Sequence, residues 1–426
     1  MNHLFKKTWL LIALLLGGVM GCVQAQETPT PTAPPTLTPT VTHTPTPRPT
    51  FTAVPSATPA PSKTPVPTNT PPAMSGPLFY VSTVGDDRQG NGSSTKPWGT
   101  ITHAVNNVPD GAIILVRPGL YDGRVDLNGI FPEGITIRSE IPYQARLRHD
   151  DTVILCSLAQ GITIEGFDVA HNGPGAQRYV VQIQDFLTDA TAGEQSVTRI
   201  TLRNNIFHDS YGTDILKINN SAAEILVEGN MLYNQGPAGH HIDVNSVQNV
   251  IIQDNIFFND FAASGRENQQ NSGSFVTIQD SNAATDRNLG SRDIVLRRNV
   301  LLNWQGSPGS TLIAVGESQV AYHQAQQILI ENNLLLGNGR DPILAAFGVN
   351  GSRDITFRHN TVTGDLPSFS YAVRLNMQTN NLINQKILLY NNIWTDYTGT
   401  MGQLEANTPL RFSDTNPEET ETFALL

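Results

Sequence analysis

One asparagine returns at a fixed place in a short alternating motif seven times, at Asn205, Asn230, Asn255, Asn299, Asn333, Asn360 and Asn392. The lines that carry it are "ITLRNNIFHD", "ILVEGNMLYN", "VIIQDNIFFN", "IVLRRNVLLN", "ILIENNLLLG", "ITFRHNTVTG" and "ILLYNNIWTD"; an eighth, "ITIEGFDVAHN", precedes them without the asparagine. A repeat of this size dictates the fold, because one unit cannot bury its apolar face alone and must stack on the next. Apolar and polar residues alternate with period two on both sides of the asparagine, which is strand patterning and excludes a helical solenoid. A third alternating segment follows each line after a variable loop: "VVQIQ", "ILKIN", "HIDVN", "FVTIQ", "LIAVG", "LAAFG" and "AVRLN".

Three short strands per turn, stacked turn upon turn, predict an all-β chain folded as a right-handed parallel β-helix. Alternate side chains such as Ile200, Leu202, Leu216 and Ile218 should fill its interior. The asparagine suits a sharp corner, where its backbone tolerates a left-handed conformation. At a strand spacing of ~4.8 Å its amide can also bond the copies above and below. The repeat should begin behind an N-terminal capping helix, since Ile101, Ala104, Val105 and Val108 fall at i, i+3, i+4 and i+7 and an open β-helix end exposes strand edges.

The stretch around that helix carries "YVS…GDD…G…P…TI..A" and then "I.V.PG.Y". In these residues the chain resembles secreted right-handed parallel β-helix proteins of the pectate-lyase-like kind, including the family-nine polysaccharide lyases. The resemblance implies an extended groove for a linear polysaccharide. It also implies β-elimination on a uronate, with calcium held by acidic side chains and a lysine or arginine as base.

Ahead of the repeat the composition changes twice. Lys6 and Lys7 precede the apolar run "WLLIALLLGGVM", which reads as a secretory signal over residues 1–22. "VMGC" resembles a bacterial lipobox with Cys22 as the lipidated residue, and "VQA" before Gln26 fits an ordinary cleavage site. Residues 23–76 are a stalk, nearly all Thr and Pro from Glu27 to about Pro72, where proline fixes φ and little apolar surface exists to bury. The domain should occupy 77–426. These features describe a bacterial protein outside the cell or on its surface, monomeric and touching the membrane only through a lipid anchor. With Cys22 lipidated, Cys156 would have no disulfide partner. A net charge of −11 argues against a nucleic-acid partner. The final "FALL" reads as the opening of a further strand, as if the solenoid continued beyond Leu426.

Two outward columns follow from the register. Glu165, Arg203, Glu228, Gln253, Arg297, Glu331, Arg358 and Tyr390 alternate in charge and read as a surface ladder. The third strand instead presents Gln182, Lys217, Asp243, Thr277, Ala314, Ala346 and Arg374, flanked by Gln184, Asn219, His241, Asn245 and Gln279. Lys217 and Asp243 lie on compact coils, with ladder asparagines 25 residues apart, between coils with long insertions. Those loops would wall a trough. The expected catalytic group is Lys217 (as base, if its pKa is depressed), His241 and Asp243, with Gln182, Asn219, Asn245, Thr277 and Gln279 binding substrate. Asp214 and Asp243 would supply oxygens to calcium, and they are also the local carboxylate pair an inverting hydrolase would need. The partner is a polysaccharide or cell-surface glycan, and the alternative to an enzyme is a non-catalytic glycan-binding or adhesion β-helix.

Overall fold

The computed structural model of the protein describes residues 75–185, 197–267, 272–281, 290–316, 322–337, 343–364, 371–376, 382–395, 410–411 and 423–425. The signal, Cys22 and the stalk up to residue 74 lie outside them, as do residues 186–196, 268–271 and 282–289 of the insertions on either side of the two compact coils. Among the described residues no helix is long and apolar enough to cross a membrane.

The architecture is all-β, a right-handed parallel β-helix with three strands per coil. One coil runs Leu216–Asn219, Ala223–Glu228 and Met231–Tyr233, and the next begins at Ile242–Asn245. Each strand pairs in parallel with its counterpart one coil away, so Leu216 meets Ile242 and Ile225 meets Val250. Inward residues of all three strands, among them Ile200, Leu202, Leu216 and Ile218, are fully buried and merge into one apolar column. The expected helix is Ile101–Asn107; Thr100 caps it by accepting from the His103 N–H at 3.2 Å, and Ile101, Ala104 and Val105 are buried against the first coils. At the far end Phe423–Leu425 is a strand paired with Gln385–Tyr390.

The seven asparagines stand in single file. Asn230 Oδ1 accepts from the Asn205 backbone N–H at 2.9 Å and from Asn205 Nδ2 at 3.1 Å, and the same pair of bonds repeats at each step to Asn392. Each Nδ2 also donates to a carbonyl of the preceding coil, as Asn255 does to Val227 at 2.9 Å. Phe167 takes this place in the first coil, and its N–H caps the file on Asn205 Oδ1. The left-handed backbone, however, belongs to the residue before each ladder asparagine: Asn204, Gly229, Asp254, Arg298, Asn332, His359 and Asn391 all have φ between 54° and 66°. The asparagine is selected for its amide, which satisfies corner N–H and C=O groups that the turn removes from the sheet.

The charged surface ladder forms as expected, with Arg203 on Glu228 at 2.9 Å and Arg358 on Glu331 at 2.6 Å. One register differs. Ala314 pairs with Gly348, not Ala346, because the strand Ala345–Asn350 is displaced by two residues. A slip of two leaves the inward set inward, so alternation cannot detect it; here it seats the Phe347 ring in the core against Phe357, centroids 4.9 Å apart. Cys156 is buried and free, its thiol pushed up to about 12 by burial alone.

Asn255→Ala would strip the corner of an acceptor for Asn230 and a donor to Val227 and Asn299, costing about 2–4 kcal/mol. Asn392→Ala, at the half-buried end of the file, should cost clearly less. Urea denaturation of the two variants decides the matter, and equal losses would remove the amide file as the source of corner stability.

Candidate functional site

Just before the third strand of each coil the backbone bends, and the bend sets two outward columns side by side. Beyond it, register stacks Gln182, Lys217, Asp243 and Thr277 in one column and Gln184, Asn219, Asn245 and Gln279 in the next. On the near side of the bend, the ladder places Tyr179, Asp214, His240 and Ser274 one above another: the Val180 N–H donates to the Asp214 carbonyl at 3.3 Å and the Ile215 N–H to the His240 carbonyl at 2.9 Å.

Lys217 and Asp243 therefore become vertical neighbours and form an ion pair, with the ammonium on Asp243 Oδ2. Both are nearly enclosed, at 9% and 3% exposure. Gln279 Nε2 donates to the other oxygen, Oδ1, at 3.0 Å. Burial pulls Lys217 toward its neutral form, but the charges of Asp243 and Asp214 outweigh it and the net shift is upward. The expected depressed lysine is thus corrected: Lys217 stays an ammonium across the neutral range and is no free base.

Asp214 has a different environment. It is buried, its Oδ1 accepts the His240 backbone N–H at 2.8 Å, and among the described residues it has no ion pair of its own. Burial first, and the Asp243 charge second, push its carboxyl up to about 6. Tyr179, absent from the sequence reading, feels Lys217, Asp214 and Asp243 together, and burial raises its phenol. His240 faces the groove beside them. Its Nδ1 lies 3.2 Å from the Ser274 carbonyl, which can only accept, so the neutral ring carries its proton on Nδ1 and offers Nε2 as acceptor. The ring needs Gly273, where a Cβ would come within 2.2 Å of Cε1.

His241 is the second correction. It is fully buried, 4.6 Å from the Phe275 ring centroid and 6.0 Å from that of Phe257, with Nε2 2.9 Å from Gln235 Oε1. It fills an interior column otherwise made of Val180, Ile215, Phe275, Leu312 and Ala346. Period-two counting placed it beside Asp243 facing outward, but the bend turns two successive residues inward. The proposed substrate contacts divide likewise. Asn245 spends its amide on Ser281, Nδ2 donating to Oγ at 2.6 Å and Oδ1 accepting the N–H at 3.0 Å. Gln182 donates to Gln184, Thr277 continues the Asp243 column, and Asn219 lies in the floor with its buried Oδ1 unpartnered.

Calcium takes six to eight oxygen ligands. Here one Asp243 oxygen faces an ammonium and the other an amide donor, and Asp214 faces a backbone N–H. Among the described residues no group of three or more His, Cys, Asp or Glu could hold a metal. The donor set does not fit a resident calcium, because Lys217 already neutralises the charge that calcium would.

No family model and no curated protein matches the chain. Among solved structures it resembles alginate lyase from Paenibacillus sp. str. FPU-7, at 15% identity and TM-score 0.50 over 69% of this chain and 94% of that one. It also resembles pectate lyase Pel9A (15%, TM-score 0.46, 76% and 78%) and the polygalacturonase from Erwinia carotovora ssp. carotovora (11%, TM-score 0.47, 75% and 96%). The likeness is one of fold. All three are parallel β-helix proteins, and the chemistry has to be argued from the residues above.

The buried imidazole has a thermodynamic signature. Burial holds the His241 pKa well below that of a free histidine, so below about pH 6.5 the unfolded chain binds a proton that the folded one refuses. Stability should therefore fall as pH drops from about 6.5 to 5, and His241→Phe should flatten that fall. Denaturation midpoints at the two pH values test this; parallel losses in both proteins would contradict the burial.

Proposed function

We propose that the chain is a carbohydrate-active β-helix protein that cleaves a glycosidic bond by acid–base chemistry, with Asp214 as the acid and Asp243 as the base. The observation that carries this reading is the unlike setting of two adjacent carboxyls: Asp214 is buried, forms no ion pair among the described residues and is raised to about 6, while Asp243 is paired with Lys217. A buried carboxyl held toward its protonated form, beside a carboxylate held by an ammonium, divides the roles of proton donor and acceptor. Asp214 gives its proton to the glycosidic oxygen as the bond to the anomeric carbon breaks. Asp243 takes a proton from the water that attacks that carbon, and one water is consumed per bond. Lys217 and Gln279 orient Asp243, and Tyr179 and His240 offer hydrogen bonds to sugar hydroxyls. A groove over several coils suits a linear glycan, and the β-helix folds of proteins named as polysaccharide lyases and a polygalacturonase agree with that substrate class.

The elimination reading needs Lys217 to leave its proton, which the two flanking carboxylates oppose. Binding without catalysis has one observation in its favour, the floor of amides at Gln182, Gln184 and Asn219, which is suited to hydroxyl recognition whatever the chemistry.

Asp214→Asn and Asp243→Asn should each lower turnover by about 10²–10⁴. Wild-type activity should decline as pH rises through about 6, where Asp214 loses its proton. The product should show new reducing ends without unsaturated-sugar absorbance, and a chelator should leave the rate unchanged. Unsaturated product, or full activity in Asp214→Asn, would sink the reading.

A further inference from the structure

The turn that brings His240 to the groove joins the strands Met231–Tyr233 and Ile242–Asn245. Asn234 and Ala238 within it have left-handed backbone, φ 64° and 53°, a conformation that costs a residue with a Cβ and has to be held by its surroundings. Gly236 and Gly239 let the turn lie directly on the preceding coil. A Cβ on the first would come within 2.6 Å of the Gly212 carbonyl oxygen, and one on the second within 2.1 Å of that of Thr213. The Gly236 N–H donates to the Thr213 carbonyl at 2.8 Å. At the end of the turn the His240 N–H donates to Asp214 Oδ1 at 2.8 Å. Burial and the Asp243 charge push the Asp214 carboxyl up, and this bond is among the interactions that oppose them.

One side chain grips the start of the same turn. Arg266, in the insertion that follows Phe258 in the next coil, donates from Nη1 to the Asn234 carbonyl at 3.1 Å and from Nη2 to the Gln235 carbonyl at 3.0 Å. Its guanidinium lies over the rings of Tyr211 and Phe261, 4.5 and 4.9 Å from their centroids. Nη1 also meets Asp209 Oδ1 at 3.4 Å, and the side chain is only 6% exposed. Anchoring the insertion does not need this placement. The Asp260 N–H already donates to Asn234 Oδ1 at 2.8 Å, and Asn234 Nδ2 donates to Ser264 Oγ at 2.9 Å. What Arg266 adds is a planar fork across two successive carbonyls, which fixes the direction in which the turn sets out.

We propose that Arg266 is a positioning residue for Asp214: by fixing the Asn234 and Gln235 carbonyls it sets where the turn ends and so holds the His240 N–H on the acid. The inference rests on the proposed acid–base function and adds a residue that tunes its acid through the backbone. Lysine could not replace it. An ammonium would keep a charge beside Asp209, but it has neither the fork that spans two carbonyls nor the flat face that stacks on two rings.

The test is carbon-13 NMR titration of the Asp214 carboxyl in the full-length protein, for wild type, Arg266→Ala and Arg266→Lys. Without the brace the His240 N–H leaves Oδ1, and the midpoint should rise by about one unit from its wild-type value near 6. Millimolar guanidinium, which can refill the place over Tyr211 and Phe261, should return Arg266→Ala to the wild-type midpoint. Arg266→Lys should show the same rise, and it stands as the test should Arg266→Ala fail to fold. A wild-type midpoint in a folded variant, or a rise in Arg266→Ala that guanidinium leaves in place, would make Arg266 an anchor of the insertion only and leave the two-aspartate reading standing. A wild-type protein whose Asp214 titrates in the ordinary aspartate range, about 4, would overturn that reading and the inference with it.

Discussion

The amide file at the corner is the interaction on which the rest depends. A turn this sharp takes backbone groups out of the sheet, and each asparagine returns an acceptor to the N–H groups one coil away and a donor to a carbonyl. The bonds are identical from step to step, so they fix the rise and the rotational phase of every coil. Once phase is fixed, residues 26 apart in sequence are stacked neighbours. An ion pair such as Lys217–Asp243 is then a product of register, and a shift of one residue would turn both side chains into the core.

Function enters where that regularity is used unevenly. Most outward positions pair charges in the open and add little. The third-strand face instead encloses its charges, and enclosure makes small differences in partner large. Asp243 has a cation and an amide donor; Asp214 has one backbone N–H and a like-charged neighbour. Enclosure also explains the lysine. Removing Lys217 from water disfavours its charge, yet two carboxylates close by more than restore it, so the group that resemblance to lyases would make a base is fixed as a counter-ion.

The fold was legible because its determinants are local and repeated: period-two alternation, the recurring asparagine and the helix preceding them. What stayed hidden was where periodicity breaks. His241 was read as outward because alternation was carried through the bend, and the same counting turned the adjacent His240, which faces the groove, to the opposite face. Asp214, which the sequence did pair with Asp243, lies in that pre-bend column together with Tyr179, which it did not mark. The signal for Tyr179 was present as a vertical alignment of "RYVV", "TDIL" and "GHHI", which column-by-column stacking would have exposed. The two-residue slip at Gly348 left no trace in polarity, and the left-handed φ one residue before the ladder asparagine cannot be told from sequence when both positions are so often polar. The calcium expectation came from resemblance, and among the described residues no donor set matches it.

The central claim is that coil stacking buries Asp214 beside the Asp243 charge and so raises its affinity for a proton. Carbon-13 NMR titration of the Asp214 side-chain carboxyl, in the wild-type protein and in Asp243→Asn, measures it directly. The account predicts a midpoint near 6 that moves down when the Asp243 charge is removed. A midpoint in the ordinary aspartate range, about 4, and indifferent to residue 243 would contradict it.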